Sequence, residues 1–453
     1  MKRDLGQDKI WPLLLRLAIP TALAQLVNVL YAIIDRIYIG HIPGVGSLAL
    51  AGVGVAAPIS SFISAFGILI GLGGAPLMGM REGHGEHRKA EEILSTAFYL
   101  MVIVSLVLTP LFLVLRNPLL LLFGASDKTL PYASSYLLYY ISGSLFAILS
   151  VGLNSYLVNQ GLSGKAMVAI LSGAFMNIIL DPIFIFTLSL GVKGAAVATV
   201  LSQIGSSALL LIFLLSPKAT IRLRFKLFNK ALITQILKYG VSPFIILASD
   251  SLLLIVTNAM LKCYGGDDAD TLITASTIVQ SFFLLITYPL GGITGGTQGL
   301  LSHNFGAGNI DRVKESLRKE QIIALIFTTF MFIVTMTSSE FFARLFTSDE
   351  NMIKLSAHYM RIYASMVIPL SFQYVNVDSM TALGQIKLAL PLSMCRKVSY
   401  TLFVIIFPVF FGAESIFLSE PVCAVLSAVV STITLKVALP KVYKEREEVG
   451  LVL

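Results

Sequence analysis

Charge is scarce in this chain. Asp, Glu, Lys and Arg make up 13% of its 453 residues, about half the share a soluble globular protein carries. That leaves too little polar surface to coat a water-soluble globule of this size. Cysteine is as sparse. Cys263, Cys395 and Cys423 all fall in the second half, an odd set with neither a disulfide framework nor zinc spacing, and small apolar packing is their expected role. The five histidines show no metal-ligand spacing. A membrane-embedded enzyme would need His, Asp or Cys clustered at an interface, so that class is disfavoured. The ten-residue alternation of a β-barrel is missing. Gly71-Leu-Gly-Gly74 lies inside an apolar run with no strand before it, which excludes a nucleotide loop.

What the chain has is length in its apolar runs. Hydrophobic residues make up 56%, and they recur in stretches long enough to cross a hydrocarbon core about 30 Å thick. Twelve spans are expected, near residues 12–39, 47–79, 93–115, 132–157, 165–188, 193–215, 238–262, 271–301, 321–338, 356–382, 387–411 and 415–437. The net charge of +8 sits mostly in short loops on one side of these spans. This is the positive-inside pattern; it places both termini in the cytoplasm and implies lipid contact, with no nucleic-acid partner. Lys2 and Arg3 before an apolar run imitate a signal peptide, but the run continues to about Ile39, too far for one that is cleaved.

A basic stretch in mid-chain, with Lys218, Arg222, Arg224, Lys226 and Lys230, reads as a cytoplasmic linker. It divides the chain into residues 1–215, the linker 216–237, and residues 238–453. At an offset of 223 residues, Pro20 meets Pro243, Gly73 meets Gly296, Gly85 meets Gly308, Tyr140 meets Tyr363 and Gly161 meets Gly384. Gly and Pro mark special backbone positions, so their registration suggests a duplication. Six spans per half returns each half to the same side. The halves should then be parallel repeats, an architecture that transporters use with substrate at the repeat interface.

Two carboxylates sit inside apolar runs: Asp35 in the first span and Asp181 in the fifth. Such groups are costly in hydrocarbon and mark ion or proton pathways. The alternative role is a hydrogen-bonded network that only locks the helices, or local neutralisation of Asp35 by Arg36. The second half carries Asp250 and Arg396 near mid-span and Asp378 toward an inner end. Asp250 and Arg396 are expected either as a buried ion pair or as substrate-facing groups. Glu420, near the start of the last span, reads as a helix-start or packing residue.

The run Asn28-Val-Leu-Tyr-Ala-Ile-Ile-Asp35-Arg-Ile-Tyr-Ile-Gly40, followed by Ala51-Gly-Val-Gly54, resembles the first helices of MATE (multidrug and toxic compound extrusion) transporters. Asn177-Ile-Ile-Leu-Asp181-Pro182, Gly191-Val-Lys-Gly-Ala-Ala-Val-Ala-Thr199 and Asn304-Phe-Gly-Ala-Gly308 continue the likeness. It covers nearly the whole chain and is closest to the bacterial and archaeal branch that includes DinF-like proteins. The resemblance implies an all-α polytopic membrane protein with twelve transmembrane helices in two parallel six-helix lobes. It implies a monomeric, multi-pass protein of the cell inner membrane that exports amphipathic or cationic compounds in exchange for H⁺ or Na⁺, with no other cofactor and no enzymatic activity. A lipid-linked oligosaccharide flippase of the same superfamily is the alternative, disfavoured because intramembrane basic residues are few. The cation or proton site implied by the resemblance maps onto Asp35, Asn177, Asp181 and Thr199.

The expected topology agrees with that set. All four fall in the outer half of the bilayer, and Asn177 and Asp181 are one helical turn apart on one face. Their oxygens suit a hard cation as well as a proton. At the same register the second half offers Asn258 for Asp35 and Val404 for Asp181, so one such site is the simpler expectation.

Overall fold

The computed structural model describes residues 7–83, 86–160, 162–217 and 219–450. Gly85, Gly161 and Lys218 lie outside the described residues. Among the described residues the chain is helical throughout, with no strand. In order the helices are α1 (Ile10–Gly40), α2 (Gly46–Gly83), α3 (His87–Leu122), α4 (Leu130–Ser142), α5 (Ser144–Asn159), α6 (Ser163–Pro182), α7 (Val192–Leu215), α8 (Lys230–Tyr264), α9 (Ala269–Gly306), α10 (Ile310–Arg344), α11 (Glu350–Tyr363), α12 (Val367–Ala382), α13 (Ile386–Phe411) and α14 (Ser419–Gly450).

Among the described residues ten helical segments are long and apolar enough to cross a membrane, or eleven if the bent pair α4–α5 is taken as one span. The expected span 132–157 is that pair, bent by 59° at Gly143. The expected span 356–382 is the exception. It is broken between α11 and α12, and its second piece carries Gln373, Asn376 and Asp378, which lower its apolarity. The expected span 321–338 is the middle of a longer helix: α10 begins eleven residues earlier, where charged residues mask it from hydropathy.

Two compact units are present: Ile34–Thr274, and Met1–Ile33 with Ala275–Leu453. This grouping by compactness is distinct from the expected repeat boundary at 216–237. In the unit Ile34–Thr274, α8 packs along α2. Phe244 of α8 meets Phe62 and Phe66 of α2 at ring-centroid distances of 5.8 and 5.0 Å. The close approach depends on glycine: a Cβ on Gly240 would lie 1.8 Å from the Leu69 carbonyl oxygen, and one on Gly73 would lie 2.2 Å from that of Ile236.

The connector between α7 and α8 is stitched to α3. Its Arg224 and Asn229 amides donate to the Ser95 and Thr96 hydroxyls at 3.1 Å each. The Tyr99 hydroxyl donates to the Phe225 carbonyl at 2.5 Å, and Arg224 pairs with Glu91 at 2.7 Å. The stretch that reads as a basic linker is thus held by main-chain hydrogen bonds as well as by charge.

In the other unit, Leu13 and Leu14 at the start of α1 pack on Leu300 of α9, with Leu17 and Ile323 against them. A second cluster joins Leu301, Ile310, Val313, Leu383 and Tyr443 around the α9–α10 turn. Helix α10 packs on α11 and α12, and α14 packs on α12 and α13.

Candidate functional site

The first site lies within the unit Ile34–Thr274. Helix α6 carries Asn177 and Asp181 in its last turns. Pro182 follows, and the chain widens into a π turn over Ile183–Thr187. Proline lacks the N–H that would continue the ladder, so the backbone loosens directly after Asp181. Tyr38 of α1 meets Phe186 of that turn edge-on, at 6.2 Å between centroids. The contact brings the end of α1, and with it Asp35, onto the end of α6.

Asn177 and Asp181 are 1% and 0% exposed. Spaced by four residues, they share a helix face, and the Asn177 Nδ2 donates to Asp181 Oδ1 at 3.1 Å. The Asp35 carboxyl faces that of Asp181 within hydrogen-bonding reach. Arg36, the next residue, offsets part of the Asp35 charge.

Three buried oxygens in this group receive no hydrogen bond from the protein: Asp35 Oδ1, Asn177 Oδ1 and Asp181 Oδ2. Two carboxylates this close repel unless one is protonated or a cation lies between them. An unmatched buried polar atom also costs about 1–3 kcal/mol. The arrangement therefore presents oxygen acceptors to a proton or a small hard cation.

Thr199 is half-buried on α7, which packs along α6. The Ser206 hydroxyl of α7 donates to the Ala169 carbonyl of α6 at 3.0 Å, fixing that packing. Among the described residues Thr199 makes no hydrogen bond to the three, so the set expected from sequence divides into a contacting triad and a neighbour.

Asp250 is exposed along α8. Within its own unit, Arg396 has Glu420 as a carboxylate partner. Both partners are largely enclosed, with side chains 17% and 4% exposed. Glu420 opens α14 directly opposite the middle of α13, and the Cys423 thiol one turn on donates to the Arg396 carbonyl at 3.2 Å. Glu420 stands in the first turn of α14, as its reading as a helix-start residue has it, and is in addition a charged member of an ion pair. Glu320 of α10 was also missed: it is fully buried, at the polar edge of an expected span.

Comparison with known proteins agrees with the fold. The MatE family model matches the chain twice, over residues 20–183 and 244–407. The starts of the two matches lie within one residue of the register read from Pro20 and Pro243. The chain is 25% identical to the multidrug export protein MepA of Staphylococcus haemolyticus (strain JCSC1435) over 434 residues, covering 93% of each. It is 22% identical to MepA of Staphylococcus aureus (strain MSSA476) over 431 residues, covering 94% of each. Its fold matches the solved inward-facing conformation of a multidrug resistance MATE family transporter of the MOP superfamily. That match has a TM-score of 0.84 and 22% identity, and covers 93% of this chain and 96% of that one. A model matched over most of the length, in two successive copies, shows that this chain belongs to the MatE family of multi-span multidrug transporters and is not an enzyme.

Proposed function

We propose that the chain is a cation-coupled antiporter that exports amphipathic or cationic organic compounds by alternating access, with Asp35, Asn177 and Asp181 as the coupling site. The observation that carries this reading is the trio of buried oxygens without a donor, two of them on facing carboxyls. With one proton or one Na⁺ bound, the pair carries a single negative charge in place of two, and its oxygens gain a partner. Emptied, it holds two charges that repel, and the loosened turn after Pro182 gives the segment room to move. Cation capture and release thereby favour different arrangements of α1 and α6, which is what coupling requires. Thr199 supplies a further oxygen if α7 closes toward α6. Residues 1–215 and 238–453 act as the two lobes, joined by the 216–237 linker, in a monomer with both termini cytoplasmic.

The test is transport by full-length protein in proteoliposomes, with a fluorescent lipophilic cation as probe, under an imposed pH gradient and an imposed Na⁺ gradient in separate runs. Probe movement driven by either gradient supports the reading. Equal movement with and without both gradients overturns it.

A further inference from the structure

We propose that the connector between α7 and α8, where it crosses α3, holds the headgroup of an anionic phospholipid whose acyl chain lies along α3. The surface lies wholly within the unit Ile34–Thr274 and does not depend on the coupling site.

The connector has two faces. Ala219, Ile221 and Leu223 are buried, while Thr220, Arg222 and Arg224 are exposed. That is the alternation of an extended chain covered on one side. Besides its bonds to Ser95, Thr96 and Tyr99, the Ile221 amide donates to Gln160 Oε1 at 3.0 Å, and the Leu223 amide to the Leu214 carbonyl at 3.1 Å. The chain then turns. The Leu227 amide donates to the Arg224 carbonyl at 3.0 Å, which puts Phe225 and Lys226 at the corner. The Phe225 ring meets Phe98 at 5.5 Å and the Phe228 ring meets Tyr99 at 5.7 Å. Even so, Phe225 and Phe228 remain 51% and 43% exposed. Held aromatic rings beside an exposed lysine are what a membrane interface favours.

The charge at this turn is of one sign. Lys226 and Lys230 are exposed, and among the described residues neither pairs with a carboxylate. No Asp or Glu occurs in the chain between Asp181 and Asp250. On α3, Glu91 is taken by Arg224 at 2.7 Å and Glu92 by Arg88 at 3.9 Å. Arg222 gives an N–H to the Pro217 carbonyl at 2.7 Å. The turn therefore presents two lysines to an anion from outside the protein.

The neighbouring surface identifies that anion. Ile103 stands one helical turn past Tyr99 on the same face of α3, and Leu106 and Val107 stand one turn further. All three are exposed, on a helix long and apolar enough to cross a membrane. From Tyr99 to Val107 is about 12 Å at 1.5 Å per residue, nearly the depth of one hydrocarbon leaflet, about 15 Å. A basic turn thus runs directly into an apolar stripe. A phospholipid, negative at one end and hydrocarbon beyond it, matches both parts. A free phosphate or an acidic peptide matches only the turn.

The experiment uses full-length protein in micelles holding equal amounts of dioleoylphosphatidylglycerol and dioleoylphosphatidylcholine. Native mass spectrometry counts the lipids retained per chain. Wild type is expected to prefer phosphatidylglycerol, and the preference should fall about fivefold for each of Lys226→Gln and Lys230→Gln. Arg88→Gln removes another exposed basic side chain, 85% accessible, and should leave the preference unchanged. An unchanged preference in Lys226→Gln/Lys230→Gln overturns the proposal. So does an equal fall in Arg88→Gln, which would mean diffuse attraction to the whole basic end. Glycerol 3-phosphate and a polyglutamate peptide carry negative charge without acyl chains, and neither should displace the lipid. Displacement by either overturns the lipid assignment in favour of free phosphate or of an acidic protein. If the double variant fails to fold, the single variants are read by the same criteria.

Discussion

Asn177 donates its side-chain amide to Asp181 Oδ1 at 3.1 Å, one turn along the same helix. The bond fixes the Asn177 amide orientation, because only its nitrogen can donate to a carboxylate. It leaves the Asn177 oxygen and the second Asp181 oxygen buried without donors. One hydrogen bond thus sets the position of Asp181 and leaves it one partner short.

Removing that bond is expected to destabilise the unit and weaken coupling together. Asn177→Ala strips Asp181 Oδ1 of the donor it has among the described residues, at a cost of about 1–3 kcal/mol. The midpoint of denaturant or thermal unfolding in micelles should fall, and gradient-driven transport should fall with it. A variant with unchanged midpoint and transport would show that Asp181 is held by other means.

The α2–α8 contact yields a contrast between two glycines. Gly240→Ala places a methyl 1.8 Å from the Leu69 carbonyl oxygen, so the helices must part. Overpacking of this kind costs about 1–3 kcal/mol. A Cβ on Gly295 meets nothing within 4 Å, so Gly295→Ala should leave the thermal midpoint unchanged or slightly raised through the better helix propensity of alanine. Equal midpoints for the two variants would contradict the packing described.

The Arg396–Glu420 pair should be costly to break and cheap to replace. Arg396→Met leaves a buried carboxylate without its partner, a loss of about 3–5 kcal/mol. Arg396→Met with Glu420→Gln removes both charges and should recover most of that loss. A double-mutant cycle on unfolding free energy reads the coupling. Additive effects would mean that the two side chains act independently.

The membrane class and most helices were legible because hydropathy reports directly on lipid exposure. The convergence of Asp35, Asn177 and Asp181 was legible for a different reason: i,i+4 spacing and equal depth follow from helix geometry alone. The partner of Arg396 was not. Glu420 lies 24 residues from Arg396 in the chain, and only the packing of α13 on α14 brings the two together. Glu320 escaped notice because the first turns of α10 are charged and read as loop, although the helix already runs through them. The break between α11 and α12 and the packing of α8 along α2 are likewise tertiary facts. No local pattern in either segment announces them. Thr199 is the converse case: its depth is compatible with the site, and depth alone does not bring a side chain into contact.

Asp181→Asn tests the coupling role most directly. The amide is isosteric, cannot carry a proton on and off, and can hydrogen-bond to Asp35. In proteoliposomes of full-length protein, movement of the lipophilic cation and of H⁺ or radiolabelled Na⁺ should be followed together, with the thermal midpoint as a check on folding. The expected result is a folded variant in which gradient-driven movement of both is lost. A folded variant that moves both at wild-type rates would contradict a coupling site built on Asp35, Asn177 and Asp181.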